Sequence, residues 1–222
     1  MPVKERIGAV FSVAGDNRPI PGCTVSRETY SDGDAYIAHF SMAADTDISA
    51  EIYGYHKLLV VSDGALTAYA PGMNREWRLQ PGEMLVTPVQ TPVGMHARTD
   101  TVYTEISMGR VLTMNNAIYA GEVFRLADLV PYQEGRIVNM DVAHNDKMKF
   151  VIMAFDAGTG LAEHAAPGEA LILALDGEGV MGYEGQAHTI RAGESFAFAK
   201  GGAHWVKAEK RFKMALLLTL DA

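Results

Sequence analysis

The chain has 222 residues, 48% of them hydrophobic, which is enough to bury a core without staples, and a formal net charge of -8. That acidity excludes an extended nucleic-acid or anionic-membrane surface, since the longest basic stretch, Glu209-Lys210-Arg211-Phe212-Lys213, is interrupted. A single cysteine, Cys23, excludes an intramolecular disulfide, and nowhere do about 18 apolar residues run together as a membrane-spanning helix requires. The opening MPVKERIGAVFSVAGDN has too short an apolar stretch for a signal peptide, so a cytoplasmic protein is expected.

Taken in chain order, the predicted elements are short strands. LLVVSDGALTAYAPGMNREWRLQPGEMLVTP (58–88) reads strand, Asp-Gly, strand, turn, strand, Gly-Glu, strand, and TVYTEISM (101–108) follows as another strand. VFRLADLVPY (123–132) places Val123, Leu126, Leu129 and Val130 on one face at helical spacing, which predicts a short connecting helix ended near Pro131. FVIMAF (150–155) is again a strand. LILALDGEGVMGYEGQAHTIRAGESFAFA (171–199) then repeats the grammar of 58–88, and the chain closes on KMALLLTL. Gly64 corresponds to Gly177, 113 residues on, and Gly82-Glu83 to Gly193-Glu194, 111 residues on. The two-residue slip fits a longer hairpin turn at Ala70-Pro71-Gly72-Met73-Asn74. Two homologous β-domains are predicted, 1–112 and 136–222, joined by a connecting segment over 113–135 that carries the short helix. LILAL and ALLLTL are apolar at odd and even positions alike, so both faces of these strands should be covered.

The spacing of His164, Gly177, Gly193 and His204, with HAAPGEALILALDGEG, QAHTIRAGES and AHWVKAEKRFKMALLLTL around them, resembles the cupins, small antiparallel jelly-roll barrels. The resemblance is strong over about 136–222 and weaker over about 30–110. It implies an all-β chain of two tandem cupin barrels, paired with each other as single-domain cupins dimerise; a homodimer of such chains is compatible with this.

The resemblance also implies a metal held by two histidines and a carboxylate of the first motif and a histidine of the second. His164 stands at the first position and His204 at the last. Ala166 and Ala170 stand at the other two. Glu169 is one residue off the carboxylate position, an offset that turns a strand side chain to the outer face unless a bulge at Pro167-Gly168 turns it back. Two readings stay open: a two-histidine, one-carboxylate site for Zn, Mn, Fe or Ni, or two polar histidines in a metal-free cavity. In the first domain the same count places Glu51, Tyr53 and Lys57 at the three first-motif positions and Val93 at the last. A lysine there repels a cation, so that domain should be metal-free, with Glu51, Tyr53 and Lys57 as candidate lining of a polar pocket. His56 and His96 fall off register, His188 suits a structural role, and His39 and His144 match no ligand spacing.

No nucleophile elbow, phosphate-binding loop or dinucleotide fingerprint is present. Two functions follow. One is a small-molecule enzyme using a Lewis-acid metal or His204 as a general base; the other is a metal-free module that binds a small metabolite without catalysis.

Overall fold

The computed structural model describes residues 5–110 and 112–220. The backbone divides into two compact units. The N-terminal unit is Val13–Leu112 with Asn116–Arg125; the C-terminal unit takes Glu5–Ser12, Thr113–Asn115 and the chain from Leu126 onward. Strand β1 (Val10–Phe11) belongs to the second of these. The N-terminal unit follows with β2 (Thr24–Asp32), β3 (Ala35–Met42), β4 (Thr46–Ile52), β5 (Lys57–Asp63), β6 (Leu66–Ala70), β7 (Arg75–Leu79), β8 (Glu83–Val86), β9 (Pro92–Ala97) and β10 (Thr101–Met108). Next come β11 (Thr113–Met114), in the C-terminal unit, and β12 (Val123–Arg125), in the N-terminal one. The C-terminal unit continues with β13 (Ile137–His144), β14 (Met148–Phe155), β15 (Gly160–Ala165), β16 (Ala170–Tyr183), β17 (Gln186–Arg191), β18 (Ser195–Phe198), β19 (Ala203–Lys207) and β20 (Phe212–Thr219). The chain is all-β, as its short strand-like runs between turn residues predict. Among the described residues no helix is long and apolar enough to cross a membrane.

In the N-terminal unit a six-stranded sheet, β12-β8-β5-β10-β3-β2, accompanies a four-stranded one, β4-β9-β6-β7. Leu59, Val61, Trp77, Leu79, Met95 and Tyr103 form the core of this unit. Strand side chains alternate in direction, so Lys57 shares the inward face of β5 with Leu59 and Val61, and Glu105 shares that of β10 with Tyr103. In the C-terminal unit the path β1-β18-β16-β20-β14-β13-β11 is completed by β17 and β19, which pair along the far half of the long strand β16, and by β15, which pairs with β19. Ala170, Ile172 and Ala174 of β16 enter the core with Phe155, Phe196, Phe198 and Phe212. Leu171 and Leu173, on the other face, are buried as well, so both faces of LILAL are covered.

The repeat noticed in the sequence has a local cause. Gly64 and Gly177 both have positive φ, +75° and +72°, and a Cβ on either would lie 2.1 Å from the Asp100 carbonyl oxygen or 2.0 Å from that of Arg211. Only glycine fits both the backbone and the facing strand. The two Gly-Glu turns are the same structure twice. Gly82 donates to Val61 and Gly193 to Ala174, while the carboxylates of Glu83 and Glu194 accept from the amides of Gln80 and Arg191 at 2.8 Å each.

The connecting segment departs from the sequence reading. In place of a helix over 123–132, Val123–Arg125 pairs with β8 and only Leu126–Asp128 forms a single 3-10 turn. The exposed ladder edge of β8 claims the backbone hydrogen bonds that an isolated helix this short could not sustain.

Candidate functional site

A cavity of about 330 Å³ opens in the N-terminal unit between β2, β3, β4, β9, the start of β5 and the middle of β10. Its charged floor is the pair Lys57 and Glu105, with Nζ and Oε1 3.0 Å apart and side chains only 10% and 3% exposed. The Tyr36 hydroxyl donates to the same Glu105 oxygen at 2.5 Å. Lys57 Nζ also lies 3.6 Å from the centre of the Tyr53 ring, a cation–π contact, and the Tyr53 hydroxyl donates to Glu51 at the rim. Burial first, then the neighbouring carboxylates, holds Tyr36 and Tyr53 above the usual phenol range, so both remain neutral donors.

Two polar atoms of β10 are buried without a hydrogen-bond partner: Glu105 Oε2, on the cavity lining, and the hydroxyl of the core residue Tyr103. Phe40, whose ring stacks on Tyr103 at 5.0 Å, belongs to the apolar wall with Ile48, Val93 and Met95. Lys57 is the one cationic side chain among the lining residues, against the carboxylates of Glu28, Glu51 and Glu105.

Glu51, Tyr53 and Lys57, picked out by counting back from Gly64, thus all line this cavity. Glu105 and Tyr36 were not picked out. The signal for Glu105 was a lone charge at an interior position of TVYTEISM, a strand whose eight residues are all buried. A charge so placed demands a counter-charge from a neighbouring strand.

In the C-terminal unit, His164 on β15 faces His204 on β19, with ring centres 4.2 Å apart. His204 also stacks on Phe198 at 4.2 Å. Each imidazole has Nδ1 against a carbonyl two residues earlier, Ala162 for His164 at 2.8 Å and Gly202 for His204 at 2.9 Å. Both therefore donate from Nδ1 and, when neutral, present the Nε2 lone pair. Burial, with the His164 charge as a lesser cause, depresses the His204 pKa below its usual 6.5, against the opposing pull of the Gly202 carbonyl.

Glu169 does not join this pair. Its carbonyl accepts from the amide of Thr219 at 2.8 Å, which extends the β16–β20 ladder past Ala170↔Leu218. The alternation then sends the Glu169 side chain to the face opposite Ala170, which points into the core. The register shift in β15 falls between Leu161 and His164, ahead of the Pro167-Gly168 position that would have turned Glu169 inward. Among the described residues no group of three or more His, Cys, Asp or Glu side chains could hold a metal ion. Two imidazoles fall short of the three protein ligands of an open metal site, and the N-terminal cavity carries an ammonium in the corresponding place. The donor sets present do not fit a resident divalent ion.

Of the remaining histidines, His188 packs on Phe196 at 5.1 Å, His56 Nδ1 meets the Thr87 carbonyl at 2.7 Å, and buried His39 pairs with Thr104 at 2.8 Å. All three serve structure. Cys23 is free and exposed.

Residues 151–220 match the family model of the cupin domain. Among solved structures, a cupin 2 conserved barrel domain protein from Leptotrichia buccalis aligns over 99% of this chain and 100% of its own, with a TM-score of 0.87 and 27% identity. Salicylate 1,2-dioxygenase from Pseudoaminobacter salicylatoxidans, in its adducts with gentisate, aligns over 95% of this chain and 80% of its own, with a TM-score of 0.65 and 12% identity. The Ylba protein of E. coli covers 99% of this chain and 95% of its own at a TM-score of 0.62 and 14% identity. At those last two identities the likeness concerns the fold alone. No curated protein matches the sequence. Residues 151–220 are therefore a cupin domain, set in an all-β fold that is similar over the length of the chain to a cupin barrel protein.

Proposed function

We propose that this protein binds a small molecule in the cavity of its N-terminal unit, and that this unit is a second cupin barrel equivalent to 136–222. The equivalence is supported by register. Glu51 faces Val93 across β4 and β9 as His164 faces His204 across β15 and β19, and the strand irregularities before Glu51 and His164 also correspond. The observation that carries the binding reading is the Lys57–Glu105 pair at the floor of an amphipathic cavity. Pockets for small molecules are mostly apolar clefts with a few fixed polar groups, and this one has that make-up.

The sequence pointed instead to a cavity at His164 and His204 in the C-terminal barrel. That pair lacks a third metal donor, so the metal-dependent enzyme reading loses its Lewis acid and binding without a resident metal is favoured. A thermal-shift screen of a broad metabolite panel tests this on three chains: the wild type, Val93→Phe, which fills the cavity but spares the ion pair, and His164→Ala with His204→Ala. A ligand that stabilises the wild type and the histidine double variant but not Val93→Phe supports the reading. One that is lost with the histidines and kept with Val93→Phe sinks it.

A further inference from the structure

We infer that the ligand of the N-terminal cavity is an uncharged polyhydroxylated molecule of about monosaccharide size, received by the Glu105 carboxylate; this rests on the cavity being the binding site. Glu105 Oε1 already takes the Tyr36 hydroxyl and the Lys57 ammonium, whereas Oε2 is buried with no partner at all. A buried carboxylate oxygen without a donor is costly, and a ligand donor removes that cost. The terminal torsion of a glutamate is soft, so the carboxylate can present an oxygen to the cavity while holding Lys57 with the other. The Tyr103 hydroxyl, two residues earlier on the same face of β10, is a second buried polar group without a partner, in the core beside the cavity wall residue Phe40.

Charge narrows the donor. Three carboxylates line the cavity against one ammonium, so an acidic ligand would enter a negative field. An amine delivered to Glu105 would meet the Lys57 ammonium already 3.0 Å from it. A hydroxyl suffers neither repulsion. The rest of the lining suits the same class. Ser26, Ser49 and Tyr53 offer hydroxyls, while Phe40, Val93 and Met95 form an apolar wall that fits the carbon-bound face of a sugar or cyclitol. A volume of about 330 Å³ lies near the lower end of small-molecule sites, which limits the ligand to one ring.

The test is a titration of the full-length wild-type chain, followed by isothermal calorimetry and by the methyl resonance of Met95, assigned through Met95→Leu. The probes are glucose, mannose, xylose and myo-inositol, with glucuronate and glucosamine as charged counterparts. The inference requires a saturable Met95 shift with one or more uncharged probes, weak or absent for glucuronate and glucosamine. In Glu105→Gln the same probe should bind about tenfold more weakly or worse, since a bond to a charged acceptor has become a neutral one. The wild-type selectivity stands as evidence even if that variant folds poorly. Preference for glucuronate or glucosamine at Met95 would overturn the ligand class and leave the cavity as the site. Heat without a Met95 shift would place binding elsewhere and overturn both, and silence from every probe would overturn the ligand class.

Discussion

Lys57 and Glu105 hold each other, and neither is stable in its place alone. Lys57 is 8% exposed and Glu105 2%, so removing one partner leaves a charge in a poorly solvated position. Lys57→Met should cost about 3–5 kcal/mol in chemical denaturation, whereas the double variant Lys57→Met, Glu105→Leu should recover most of that loss. Additive losses in the two single variants, with no recovery in the double, would mean that the pair does not interact energetically. The pair also marks how far single residues could be read in advance. Lys57 was legible because a fixed count from Gly64 lands on an inward position of β5. Glu105 was not, because no motif spans it: the carboxylate is brought to Lys57 by the pairing of β10 with β5, a contact 48 residues apart in sequence. For Glu169 the sequence left two directions open, since it stands one residue off the carboxylate position, and it is the ladder of β16 with β20, remote in sequence, that bears on the choice.

At the level of elements, the turns carried the most information. Gly64, just after β5, and Gly177, within β16, each sit where the facing backbone crosses at a distance no side chain tolerates, so no other residue fits there. Gly177→Ala combines a positive φ with a Cβ 2.0 Å from the Arg211 carbonyl oxygen, and it should lower stability by about 2–4 kcal/mol, more than the roughly 1 kcal/mol of a glycine replaced in open space. Thermal unfolding of this variant beside wild type checks it; a loss below about 1 kcal/mol would mean that the backbone at this crossing yields easily. The 123–132 segment was misread because a short run at helical spacing is also compatible with a strand followed by a turn. What resolved it was an unpaired edge on β8, a fact about a distant strand.

For the molecule as a whole, the boundary between units is not a single cut in the sequence. Composition and repeat spacing placed a division at 112/113 and a linker to 135, yet Glu5–Ser12 packs with the C-terminal unit. The physical reason is β1. Val10 and Phe11 pair with Phe196 and Ser195 at the outer edge of β18, the amide of Gly8 donates to the Ala197 carbonyl at 2.9 Å, and Phe11 is 5% exposed. Two residues of strand give no periodicity to read, and their partner is more than 180 positions away. Covering a sheet edge with such a strand removes unpaired backbone groups from solvent and protects the edge from other chains. A chain that begins at Ser12 should therefore show faster amide exchange in β18, Ser195–Phe198, and in the strand it next pairs with, β16, while β5 and β10 of the N-terminal unit keep their protection. Hydrogen exchange read by mass spectrometry on both chains separates the outcomes. Unchanged protection in β18 would reduce β1 to a passive attachment, and loss of protection in β5 and β10 as well would mean that the first residues stabilise both units rather than one.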